Sequence, residues 1–113
     1  MSRRDPSVPL RHMLDAAQEA AQLVQGRSRS DLDEDRLLNL SLVRLLEIIG
    51  EAANRVAESE RLKHPQIPWA EIIGLRNRLI HGYDNVDFEI LWQVVTVDLP
   101  VLIAQLELIL KTK

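Results

Sequence analysis

Apolar residues recur at steps of three and four through most of the chain, the period of a helix that buries one face. Over residues 9–25 the run Leu10, Met13, Leu14, Ala17, Ala20, Ala21 and Val24 predicts a first amphipathic helix, with Gly26 placed to end it. Arg27 to Ser30 reads as a short loop. Ser30, followed three residues on by Asp33, is a candidate cap for a helical segment beginning at Asp31, whose acidic first turn complements the helix dipole. From Arg36 to about Ser59, Leu38, Leu42, Leu45, Leu46, Ile49, Ala52, Ala53 and Val56 keep the same face and predict a long central helix.

Inside that helix Gly50 is unfavourable by about 1 kcal/mol relative to alanine, so its presence predicts a second backbone passing close by. Glu58 to His64 adds a turn before Pro65, and Pro68 is expected at the first position of a third main helix over residues 68–81. Gly82 suits its terminus, and Asp87 is placed to cap the next helix. That last helix, residues 88–110, is apolar on nearly every side, which argues for cover by a second subunit. Pro100 should kink or split it. The pattern predicts an all-α bundle of four to five helices in one domain, with residues 1–8 flexible.

Composition supports this. Apolar residues make up 46% of the 113-residue chain and aromatics 4%, so the core must come from Leu, Ile, Val and Ala. The absence of cysteine excludes disulfides, thiolate metal sites and a cysteine nucleophile. His12, His64 and His81 lack ligand spacing, the carboxylates are scattered, and no metal or cofactor is expected. No signal-peptide pattern follows the N-terminus, and residues 99–110 fall short of the roughly 20 apolar residues that span a bilayer. A cytoplasmic protein without membrane contact is expected.

Net charge is −3, against a broad basic surface. It is unevenly spread: +2 over residues 1–30, −5 over 31–60, +2 over 61–86 and −2 over 87–113. The two positive blocks can meet in space around Arg76, so a nucleic acid, if one binds, would be held locally there.

The stretch Arg76-Asn77-Arg78-Leu79-Ile80-His81-Gly82-Tyr83 concentrates the candidate chemistry. Arginine holds phosphate in a bidentate manner, and an imidazole moves protons near neutral pH. On a straight helix residues five apart stand about 140° around the axis, so Arg76 and His81 share a site only if the helix frays or a second subunit completes it. Attack of a ribose 2′-hydroxyl on the adjacent phosphate needs a base, an acid and positive charge, which two chains would supply together. Taken alone, so short a pattern is more often structural, with the histidine at the carbonyl end of a helix and Tyr83 packed beyond the glycine. Arg44, Glu47 and Glu51 read first as a salt-bridged stripe, with Glu47, Glu51 and Arg78 as further support for the site. Trp69 and Trp92 read as packing anchors, and His12 and His64 as surface residues.

Four segments in order change that balance: residues 45–53 (LLEIIGEAA), 64–69 (HPQIPW), 76–83 (RNRLIHGY) and 92–100 (WQVVTVDLP). Over nearly the whole chain the sequence resembles the HepT family of the HEPN superfamily. The resemblance implies an all-helical homodimer acting as the toxin of a toxin–antitoxin pair whose antitoxin is an MNT-type minimal nucleotidyltransferase. It assigns Arg76, Asn77 and His81 to metal-independent endoribonuclease activity at the dimer interface. Tyr83 becomes the residue to which the partner transfers AMP from ATP, an off switch acting through bulk and charge. Gly82 departs from the acidic residue common at its position. A reading from another class is a non-catalytic helical module serving as partner or substrate subunit of the nucleotidyltransferase; the complete motif favours the nuclease, the acidic net charge the module.

Overall fold

Helix α1 (Ser7–Leu23) buries Leu10, Met13, Leu14, Ala16, Ala17 and Ala20. Its three buried alanines let neighbouring helices come close, because interaxial distance is set by the side chains at the contact. Helix α3 (Arg36–Arg55) lies along one side and presents Leu42, Leu46, Ile49 and Ala53, each fully or almost fully buried. Helix α8 (Leu99–Lys111) lies along another and contributes Leu99, Leu102, Leu106 and Ile109. Each large apolar side chain so removed from water stabilises the fold by roughly 1.5–3 kcal/mol.

This is a computed structural model, which describes residues 5–82 and 85–112. Shorter segments complete an all-α architecture: α2 (Asp31–Glu34), α4 (Glu58–Leu62), α5 (Trp69–Ile73), α6 (Leu75–Leu79) and α7 (Phe88–Gln93). Among the described residues the β pairing is confined to one isolated bridge, Ile80 with Val86. Ser7 and Val8, expected to be flexible, form the first turn of α1; for residues 1–4 that expectation lies outside the described residues.

Several boundaries differ from the periodicity. Ser30 makes no side-chain cap; Asp35 turns to extended backbone and caps α3 instead, its carboxylate accepting from the Leu38 amide at 3.0 Å. Asn39, buried on α3, then donates from Nδ2 to the Leu32 carbonyl at 2.8 Å and ties α2 across that break. The central helix stops at Arg55 rather than near Ser59, because Val56 is extended and its carbonyl accepts from Arg61 Nε at 3.1 Å.

Arg29 secures the other end of α2. It pairs with Asp33 at 3.0 Å and Glu89 at 2.8 Å and lies over the Phe88 ring. Desolvation lowers its pKa, but the hydrogen bond to Glu89 and the nearby acidic charges outweigh it, so the net direction is upward.

Pro100 does not interrupt the helical run but stands in the first turn of α8, just past a change of helix type. A π turn at Val94–Asp98 joins α7 to α8, with the Leu99 amide bonded to the Val94 carbonyl and the Thr96 hydroxyl donating to the Trp92 carbonyl at 2.7 Å. The wider turn accommodates a residue that has no N–H to donate. The helical run from Phe88 to Lys111 is therefore continuous over 24 residues, long and apolar enough by length and composition to cross a membrane, contrary to the limit inferred from residues 99–110. Its buried face packs against α1, and core helices meet the same criterion.

Candidate functional site

The site is built on a close helix contact. A Cβ on Gly50 would stand 3.0 Å from the Ile72 carbonyl oxygen and 3.7 Å from that of Ile73, so the end of α5 rests directly on the α3 backbone. The close approach predicted from that glycine is present. Pro68 precedes α5 as its cap residue rather than forming its first turn. Trp69 is half-buried, and its indole N–H donates to the His64 carbonyl at 3.0 Å, anchoring the start of α5. His64 itself is not on the open surface: its ring meets the buried Glu60 carboxylate at 3.1 Å.

Gly74 separates α5 from α6, so the third main helix of the sequence reading is two short ones. Because α6 starts beside Gly50, its first exposed residue reaches α3 one turn earlier. Arg76 Nε lies 2.9 Å from Glu47 Oε2, with the arginine side chain 64% exposed and the glutamate 23%. Glu47 Oε1 faces Arg44 at 3.9 Å, and Arg44 also meets Glu51 at 3.1 Å. The expected salt-bridged stripe is thus present and extends to Arg76. Beside it is a cleft of about 160 Å³, lined from α3 by Glu47, Gly50, Glu51 and Asn54 and from the facing segment by Ile73 and Arg76. These α3 residues belong to the acidic block of the sequence, so the surroundings of Arg76 are of mixed charge rather than the meeting of two positive blocks. Arg78 is not brought to this cleft; it lines a separate groove with Glu71, Asp98 and Gln105.

The end of α6 decides where His81 goes. The helix stops at Leu79, not His81, and Ile80 is extended with φ −108° and ψ 118°. Ile80 pairs with Val86, the Asp87 amide donates to the Leu79 carbonyl at 2.8 Å, and the His81 amide donates to Asn85 at 2.7 Å. Gly82 has φ +101°, a conformation that glycine adopts without the Cβ penalty. His81 therefore leaves the helical path, and the 140° offset that would separate it from Arg76 on a straight helix no longer applies. Asn77 and His81 are both exposed. Asp87 caps α7 as predicted, accepting from the Glu89 and Ile90 amides. The AMP-acceptor assignment of Tyr83 lies outside the described residues.

The exposed His81 thus follows a short helix on an extended turn of an all-α bundle. The family described as "Ribonuclease HepT-like" matches residues 13–109. The chain belongs to the HepT-like ribonuclease family. The match runs from the buried face of α1 to the last buried residue of α8, and the bundle is of the HEPN type. Relatives include "Putative RNase MJ1380" of Methanocaldococcus jannaschii, 33% identical and covering 96% of this chain and 100% of the relative. "Putative RNase TTE0752" of Caldanaerobacter subterraneus is 37% identical, covering 96% of each chain. "Probable ribonuclease HepT" of Thermococcus cleftensis is 38% identical over 79% of this chain and 84% of its own. No solved structure matches significantly.

Proposed function

We propose that this HepT-like chain, a single domain over residues 1–113, is a metal-independent endoribonuclease and the toxin of a cytoplasmic toxin–antitoxin pair. The observation that carries this reading is the end of α6 at Leu79. It lifts His81 off the helix while Arg76 and Asn77 stay exposed on it, as the chemistry of the motif requires. The names of the relatives support the same substrate, RNA.

In the reaction, one His81 takes the proton of a ribose 2′-hydroxyl as its oxygen bonds to the adjacent phosphorus. The bond from phosphorus to the 5′-oxygen breaks, and a second imidazole gives that oxygen a proton. The products are a 2′,3′-cyclic phosphate and a 5′-hydroxyl end. Arg76 holds the phosphate oxygens as charge accumulates, and Asn77 orients the RNA or His81. One histidine per chain supplies half of this acid–base pair, so the active species is a homodimer that places two His81 side chains at one interface. The exposed apolar residues Val97, Val101 and Leu108 of the last helical run support association. The MNT-type nucleotidyltransferase partner transfers AMP to Tyr83, two residues from His81, and the added anion excludes RNA.

The test is cleavage of cellular RNA by purified protein, shown by intact mass to carry no AMP, in EDTA and beside a His81→Ala control. Discrete fragments with cyclic phosphate ends from the parent alone support the reading. No cleavage by a verified, AMP-free dimer would replace it with the non-catalytic partner subunit.

A further inference from the structure

We infer that Glu47 is the positioning residue of the site: it holds Arg76 by its Nε edge so that the two terminal guanidinium nitrogens are presented to the RNA phosphate. The inference rests on Arg76 being the phosphate-binding residue, as proposed above.

A guanidinium can meet an oxyanion along its side, through Nε and one terminal nitrogen, or end-on through both terminal nitrogens. In this structure the side is taken: Glu47 Oε2 accepts from Nε at 2.9 Å. Among the described residues no second carboxylate is paired with Arg76, so the end-on fork is the edge left for phosphate. An arginine with most of its side chain in solvent otherwise samples many rotamers, and fixing one before substrate arrives lowers the entropy lost on binding and in the transition state.

Glu47 is itself held in place. It is much less exposed than Arg76, and its other oxygen faces Arg44, which is tethered to Glu51. Its backbone lies one turn before Gly50, where α5 rests on α3, so glutamate and arginine are carried by two elements locked together. A carboxylate beside the site also repels phosphate, the opposing effect. Arg44, shared between Glu47 and Glu51, reduces that repulsion, and the net role assigned to Glu47 is to orient rather than to compete.

The test compares single-turnover cleavage of a short RNA by the AMP-free parent and by Glu47→Ala, Glu47→Gln, Arg76→Ala and the Glu47→Ala/Arg76→Ala double variant. Affinity for a 2′-O-methyl RNA that cannot be cut and the Arg76 Nε–H NMR signal are measured alongside. Glu47→Ala is expected to slow cleavage between about tenfold and a hundredfold with RNA affinity nearly unchanged. Glu47→Gln, whose amide oxygen still accepts from Nε, should stay within about threefold of the parent. In the Arg76→Ala background, Glu47→Ala should add nothing. Unimpaired cleavage by Glu47→Ala, equal loss in the glutamine variant, or equal loss without Arg76 would each overturn the inference. A parent that cuts no RNA sinks the nuclease reading instead. The positioning role then stands if 2′-O-methyl RNA shifts the Arg76 signal and Glu47→Ala, unlike Glu47→Gln, accelerates its Nε–H exchange; it falls if that signal ignores either change.

Discussion

The α-carbon of Gly50 sits against the carbonyl oxygen of Ile72, which would be 3.0 Å from any Cβ placed there. Gly50→Ala gains about 1 kcal/mol of helix propensity but costs about 1–3 kcal/mol of overpacking. The obstacle is backbone, not the end of a flexible side chain, so the cost should win. We expect a fall of several degrees in Tm together with reduced RNA cleavage, because α5 leads directly into α6, which carries Arg76. Thermal denaturation and the cleavage assay on the same preparation check this, and an unchanged Tm would show that α5 yields without loss.

His81→Ala should abolish cleavage and leave the unfolding free energy within about 0.5 kcal/mol of the parent's, since the residue is exposed and its amide, not its ring, bonds to Asn85. Sedimentation of the variant separates the two roles open to this histidine. A variant that no longer dimerises would make His81 an interface residue rather than an acid–base group.

Asn39→Ala leaves the Leu32 carbonyl without its partner in a part of the core where Leu32 is fully buried. The loss should be about 1–3 kcal/mol. Urea unfolding would show it as a lower midpoint with an unchanged slope.

Asp87 both caps α7 and, through its own amide, bonds to Leu79. Asp87→Ala removes the cap but not that amide, so about 1 kcal/mol should be lost. Hydrogen exchange should speed up at the Glu89 and Ile90 amides before the rest of the molecule responds.

Tyr83→Phe removes the hydroxyl that would accept AMP. The variant should cleave RNA as the parent does and gain no mass when incubated with the nucleotidyltransferase and ATP. Mass gain by the variant would assign AMP to another residue.

Local features of the sequence were legible where one residue type leaves few choices. Gly50 marked a close backbone, Asp87 a cap, and the spacing of Arg44, Glu47 and Glu51 a charged stripe, all present in the structure. The proposed assignment of the chemistry to Arg76, Asn77 and His81 comes from family resemblance, since Arg-x4-His alone is too short to carry it. Periodicity failed where the apolar pattern outlives the helix: Val56 is buried and in phase, yet extended. It also says which face is buried without saying what meets it, so the pairing of Arg76 with a glutamate 29 residues away was not readable from either segment. Ser30 was the expected cap, but the side chain that caps is Asp35, at the start of α3, where the backbone turns to extended and Asn39 closes the break.

The π turn between α7 and α8 holds one residue more than the same rise of α-helix needs. The last helix therefore contains its own length reserve. Deleting a residue from 94–98 would draw the turn toward an α ladder while leaving α8 in phase with α1, at the expense only of the accommodation made for Pro100. The same deletion in α1 or α3 would swing each later apolar side chain through about 100° and out of the core. Single-residue deletions in this protein should accordingly be better tolerated at that turn than inside α1 or α3.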